Sequence, residues 1–141
     1  MPVEIVRASA EAVEAFVRQT EREALKTFYD FSVIWHEQVH DFAAMDGSTT
    51  AGVAQIRIAA SLAHVDRVIV APHLRRQGIG RALLSSAEET GNYYNCHKMT
   101  LMVPHDGAAQ RFFEACGYRE EAVLAQHTFK LDMAVLRKFL L

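Results

Sequence analysis

The chain has 141 residues and a formal net charge of −2, with 50% hydrophobic and 23% charged residues. That length suits one domain with its own core, and that balance excludes a disordered charged tail. With 7 Gly, 3 Pro and no excess of basic residues, there is neither a low-complexity tract nor the whole-molecule basic field that attracts nucleic acid.

The two cysteines, Cys96 and Cys116, form no CxxC pair and read as small packing residues in a reducing compartment. The first residues, Met1-Pro2-Val3-Glu4-Ile5-Val6-Arg7, carry charges where a signal peptide needs an apolar run. No stretch reaches the ~18 consecutive apolar residues of a membrane span. The expectation is a cytoplasmic protein, one domain over residues 1–141, without a membrane or nucleic-acid partner.

In chain order, Val3–Arg7 predicts a short first strand, ended by the helix N-cap Ser9. Val13, Phe16 and Val17 then share one helical face, and a second helical stretch follows over Glu21–Tyr29. The segment from Phe31 to Met45 is rich in aromatic and β-branched residues and ends at Asp46-Gly47-Ser48, a hairpin turn into Ala51–Ala60. In the strand Leu62–Val70, alternation sets His64 and Asp66 on one side and Val65 and Arg67 on the other. The strand ends in the continuously apolar Val68-Ile69-Val70, as if covered on both faces, and Pro72 stops it. A helix from Gly80 to about Tyr94, a strand Met99–Val103, a helix Ala108–Cys116 and strands Arg119–Leu124 and His127–Met133 complete a mixed α+β order.

The junction from Val68 to Ala82 carries the most chemistry. Gly78 and Gly80 sit where a strand hands over to a helix, so backbone N–H groups can converge on one point with the positive end of the helix. Glycine at both positions lets a phosphate approach closely, and Arg75, Arg76 and Arg81 add positive charge around it. A dinucleotide-binding Gly-x-Gly-x-x-Gly is excluded by Leu83, and the Gly-Lys-Ser/Thr of a P-loop is absent.

Arg75-x-x-Gly78-x-Gly80 after Val68-x-Val70 closely resembles the acetyl-CoA signature of the GNAT superfamily of N-acetyltransferases. The segment Asp106 to Tyr118 is similar to that superfamily's second motif, Asn-x-x-Ala-x-x-Phe-Tyr-Glu-x-x-Gly-Phe. The resemblance covers most of the chain, because the order of elements matches too. It implies a mostly antiparallel sheet, splayed in the middle, with helices on both faces. It further implies that Val68, Ile69 and Val70 face the pantetheine arm of acetyl-CoA, and that Arg76, Gln77, Gly78, Ile79, Gly80 and Arg81 enclose its pyrophosphate. Asp106 stands where the superfamily usually has Asn, in contact with the CoA arm. Phe113 stands where it often has the Tyr that reprotonates the thiolate.

Transfer to an amine needs a proton acceptor and a donor for the thioester oxygen, which a backbone N–H of Val68–Val70 can supply. His64 occupies the position where the superfamily often places a Glu, and an imidazole suits a base at neutral pH. Asp66 is the alternative base, or a group that orients a water. The implied partner is a small-molecule or peptide amine, and a homodimer is compatible with the sequence.

Two other readings compete. Phe113 and Asp106 would also suit a CoA-binding module with little catalysis. His36-Glu37-Gln38-Val39-His40 fits the zinc-hydrolase pattern His-Glu-x-x-His if it is helical, although the segment is rich in strand formers and no metal is expected. The aromatic run Asn92–His97 lacks the basic stripe of a nucleic-acid platform.

Overall fold

A computed structural model describes residues 2–31, 33 and 35–140; Ile34, in the aromatic stretch before the hairpin, lies outside them. The chain forms two compact units, Met1–Trp35 and His36–Leu141.

In the first unit, Ser9 accepts a hydrogen bond from the Ala12 amide and starts α1 (Ala10–Leu25). The two helical stretches expected from the sequence are one helix, because nothing between Val17 and Leu25 breaks the backbone pattern. Val3–Arg7, expected as a strand, has no regular structure. Alternation alone does not make a strand; a hydrogen-bonded neighbour does.

The second unit contains β1 (Gln38–Asp46), β2 (Thr49–Ala59), β3 (Leu62–Val70), α2 (Ile79–Tyr93), β4 (Lys98–Pro104), α3 (Ala108–Ala115), β5 (Arg119–Leu124) and β6 (Met133–Phe139). They form a mixed α/β fold around one six-stranded sheet of order β1-β2-β3-β4-β6-β5. Every neighbouring pair is antiparallel except β3 and β4. The first hairpin turns at Gly47 (φ 62°), as Asp46-Gly47-Ser48 predicts. The last strand was expected at His127–Met133 but lies at Met133–Phe139. Gln126, Phe129 and Lys130 take left-handed backbone angles, and the His127 amide donates to the Leu131 carbonyl, closing a turn where pairing was expected.

Ile56, Leu84, Met99 and Leu136 are fully buried, in a core that also takes Ala87 from α2 and Phe113 from α3. Burial of each large side chain contributes roughly 1.5–3 kcal/mol. Cys96 and Cys116 are buried free thiols, and burial pushes both pKa values up, which keeps them unreactive. At one end of the core the buried Tyr118 hydroxyl donates to Glu88 at 2.9 Å, and Lys138 binds the same carboxylate at 3.0 Å.

The strands β3 and β4 pair only at Leu62↔Lys98, Ala63↔Met99 and His64↔Thr100, and then part. A bulge in the β2–β3 ladder leaves Asp66 without a partner at the same level. Bulges increase local twist and bend the strand that carries them. The splayed sheet that the resemblance implied is therefore present, and the gap opens beyond His64.

Gly52 allows β2, β3 and α2 to close on one another. A Cβ there would lie 2.9 Å from the Ile69 carbonyl oxygen and 3.2 Å from Leu83 Cδ1. Gly52→Ala is expected to destabilise the fold by ~1–3 kcal/mol, as overpacking does, in urea unfolding measured without ligand. Wild-type stability in this variant would refute that packing role.

Candidate active site

The gap between β3 and β4 exposes backbone polar groups. The Ala71 amide donates to the Ala51 carbonyl, which sets the alternation of the antiparallel β2–β3 ladder. Ile69 and Ala71 thus turn their backbone groups to β2, while Val68 and Val70 turn theirs into the gap. The resemblance had put all three of Val68, Ile69 and Val70 against one ligand arm; the alternation leaves Val68 and Val70 for that task. Their side chains face the core, where Val68 packs against the buried cluster.

Beyond β3, Pro72–Leu74 makes one 3-10 turn and the chain swings into α2. Arg76 (φ 65°) and Gly78 (φ 80°) are both left-handed, a geometry that turns successive amides toward a shared concavity. Among the described residues, none of the amides from Arg76 to Arg81 donates to another backbone group. The helix α2 has no side-chain cap and no acidic residue in its first turn, so its positive end is open.

The two glycines have different tasks. A Cβ at Gly78 would meet nothing within 4 Å, which suits the open floor of an anion cradle. A Cβ at Gly80 would lie 3.2 Å from Phe112 Cζ and 3.6 Å from Val70 Cγ2. Gly80, expected to clear space for a phosphate, therefore serves close packing of α2 against α3 and β3. The three arginines also do not converge as expected. Arg75 donates to the Val70 carbonyl at 3.3 Å, and Arg81 donates to the Ala115 carbonyl at the end of α3. The open amides add their partial positive charge to that of the arginines.

At the vertex of the gap, His64 Nδ1 lies 3.1 Å from the Thr100 hydroxyl and Nε2 lies 3.9 Å from Asp66 Oδ1. Arg57 Nε donates to both Asp66 oxygens, at 3.0 and 2.8 Å. Asp66 is thus held in an ion pair with Arg57, beside the imidazole of His64. The bulge also overturns the expected alternation: Arg67 stands opposite Gln55 and Arg57 opposite His64, so Arg67 shares the face of His64. Arg57 and Thr100 were not singled out from the sequence, because they reach His64 only through strand pairing.

The second motif is placed differently from its expected role. Phe113 is only 7% exposed, with its ring edge-on to Phe112 and Tyr118, so it is a core side chain and presents nothing to the loop. Asp106 is left-handed (φ 60°), its amide donates to Gln110 Oε1, and its carboxylate is 81% exposed, 3.5 Å from His105. In His36-Glu37-Gln38-Val39-His40, residues 38–40 belong to β1, so the helical spacing that a zinc motif requires is absent. His40 instead packs its ring 5.0 Å from that of Tyr94.

Partial burial, and then the charge of Arg57, lower the His64 pKa below its ordinary 6.5, with Asp66 opposing. The folded protein therefore takes up a proton at His64 less readily than the unfolded chain. This contribution to stability is full above pH 6.5 and is lost as pH falls through the lower folded-state pKa. His64→Gln should flatten that part of the stability profile in urea titrations from mildly acidic to neutral pH. An unaltered slope would show that His64 is not held in its neutral form.

No curated protein sequence matches the chain. Solved structures with the same fold include an acetyltransferase from Bacillus cereus, with 18% identity over 97% of both chains and a TM-score of 0.77. The ribosomal-protein-S18-alanine N-acetyltransferase from Escherichia coli has 18% identity over 96% of this chain and 92% of its own, with a TM-score of 0.66. The IAA acetyltransferase from Bacillus cereus has 20% identity over 94% of this chain and 93% of its own, also at 0.66. Residues 5–128 match the family model described as the acetyltransferase (GNAT) domain, and the chain belongs to that family.

Proposed function

We propose that this protein is an acetyl-CoA-dependent N-acetyltransferase that acylates a primary amine by direct attack. The observation that carries this reading is the run of unpaired amides from Arg76 to Arg81, leading into the uncapped end of α2. Converging amides at a helix N-terminus favour a pyrophosphate, and here Gly78 leaves open space in front of them. The backbone groups of Val68 and the amide of Val70, which face the gap, continue the same path toward His64, with the polarity to pair with a pantetheine arm; the Val70 carbonyl is held by Arg75. Acetyl-CoA supplies the activated acyl group.

The amides of Arg76, Gln77, Gly78, Ile79, Gly80 and Arg81 hold the diphosphate. A backbone N–H in the gap donates to the thioester oxygen as negative charge develops there. His64, neutral at physiological pH, accepts the proton released as the amine nitrogen bonds to the acyl carbon and the carbon–sulfur bond breaks. The Thr100 hydroxyl holds Nδ1, which leaves Nε2 for the amine proton, with Asp66 paired to Arg57 beside it. With Phe113 in the core, protonation of the thiolate falls to water or to the proton held on His64. We assign the protein to the cytoplasm, with the amine acceptor as its partner.

Acetyl-CoA should raise the melting temperature by mass action, equivalent to ~2.7 kcal/mol at a hundred times Kd. Pantetheine, which lacks the diphosphate, should raise it far less at the same concentration. Equal shifts would refute the cradle. With an accepted amine, His64→Ala should lower kcat/KM by ~10²-fold or more. In the wild type, the acidic limb of log(kcat/KM) should rise with an inflection below 6.5, the direction in which the site moves the imidazole. If Asp66→Ala abolished activity while His64→Ala retained it across the pH range, the base would be Asp66. Binding of acetyl-CoA without turnover of any amine would favour a CoA-binding module.

A further inference from the structure

Arg119 on β5 and Arg137 on β6 stand directly opposite each other in the sheet. Two like charges in that position repel, and ordinary sequences avoid them. Among the described residues, neither guanidinium has a carboxylate within ion-pair distance. Glu121, two residues along β5, is committed to Lys98 at 2.8 and 3.0 Å. Glu120 points to the other side, where it takes Gln110 and His105. The Arg137 guanidinium lies 4.7 Å above the Phe139 ring, which fixes its plane while leaving its donors unspent.

The same register connects this pair to the vertex of the gap. Arg57, His64, Thr100, Arg137 and Arg119 form one row across five strands. Side chains along such a row lie on one face, and Thr100 already bonds His64 from it. At ~4.8 Å per strand, the Arg137 backbone is about 10 Å from that of His64, within the length of a small acceptor.

We propose that Arg137 and Arg119 form an anion site that reads a carboxylate or phosphate carried by the acceptor, so that the acceptor is an anionic amine. Two planar guanidinium groups can grip either oxyanion through paired N–H donors. An anion between them also removes the repulsion that the sheet otherwise sustains. The acceptor part of this inference rests on the acyl-transfer reading; the anion site itself does not.

The site is tested first without catalysis. Succinate and inorganic phosphate are titrated separately at constant ionic strength, with chloride as control, following the arginine Nε–H resonances. Saturable shifts at Arg119 and Arg137 are expected with at least one probe. Arg119→Gln, without added anion and at low salt, should melt higher than wild type and lose the saturable shift. No saturable shift with either probe would overturn the proposal, and so would a saturable shift that survives at Arg137 unchanged in Arg119→Gln.

Acceptor pairs then identify the group: L-phenylalanine against phenethylamine for a carboxylate, and O-phosphoethanolamine against ethanolamine for a phosphate. The anionic member of one pair should be preferred by roughly tenfold or more in kcat/KM, the worth of a charge-assisted hydrogen bond. Arg137→Gln should erase that preference with the KM for acetyl-CoA unchanged, and Arg137→Lys should restore part of it. Saturable anion binding in a protein that transfers no acetyl group would leave the anion site standing and refute the transfer reading. Equal use of charged and neutral members by an active enzyme would refute the acceptor assignment.

Discussion

Three residue pairs hold β3 to β4, and the chemistry of this protein follows from the parting of the strands after the third. The sheet is in effect two antiparallel ribbons, β1-β2-β3 and β4-β6-β5, hinged at His64 and Thr100. Each ribbon is paired along its length apart from local bulges, so the break leaves its open backbone donors and acceptors along the gap. The bulge at Asp66 sits one step beyond the hinge, where extra twist turns β3 away from β4.

The same hinge sets the electrostatics of the vertex. His64 is enclosed enough for burial to oppose its charging, and Arg57 adds to that effect. An imidazole held neutral is a proton acceptor through the physiological range. Asp66 opposes both effects from within its own ion pair, in which the guanidinium of Arg57 holds both of its oxygens.

The loop after β3 presents open backbone amides from Arg76 to Arg81. The arginines of the loop are partly spent on structure: Arg75 ties down the end of β3, and Arg81 satisfies a carbonyl at the end of α3. Spending them in this way makes the loop rigid, and a rigid loop presents its amides without an ordering cost on binding. Gly52 and Gly80 contribute from behind, by letting β2, β3, α2 and α3 come close enough to hold the loop in place. In the loop itself, Gly78 combines a left-handed backbone with open space in front of it.

Much of this was readable from the residues in order. The hairpin at Asp46-Gly47-Ser48, the bounds of β3 and β5, the strand-to-helix junction with its glycines and the position of His64 are local statements, written in turn chemistry, alternation and spacing. Local patterns failed where a distant partner decided the outcome. Val3–Arg7 has the alternation of a strand without its pairing, and His127–Met133 was read as a strand although left-handed residues close it into a turn. The bulge at Asp66 moved Arg67 to the face of His64, because one unpaired residue reverses every side chain after it. The pairings of Thr100 with His64, Arg57 with Asp66 and Arg137 with Arg119 join residues from strands that meet only in the sheet. By itself the sequence determined the family and the place of the glycine-bearing strand-to-helix junction, since both depend on neighbours along the chain. Tertiary structure alone decided which groups surround the base and which arginines remain unspent, since strand register, a property of pairs of strands, brings those side chains together.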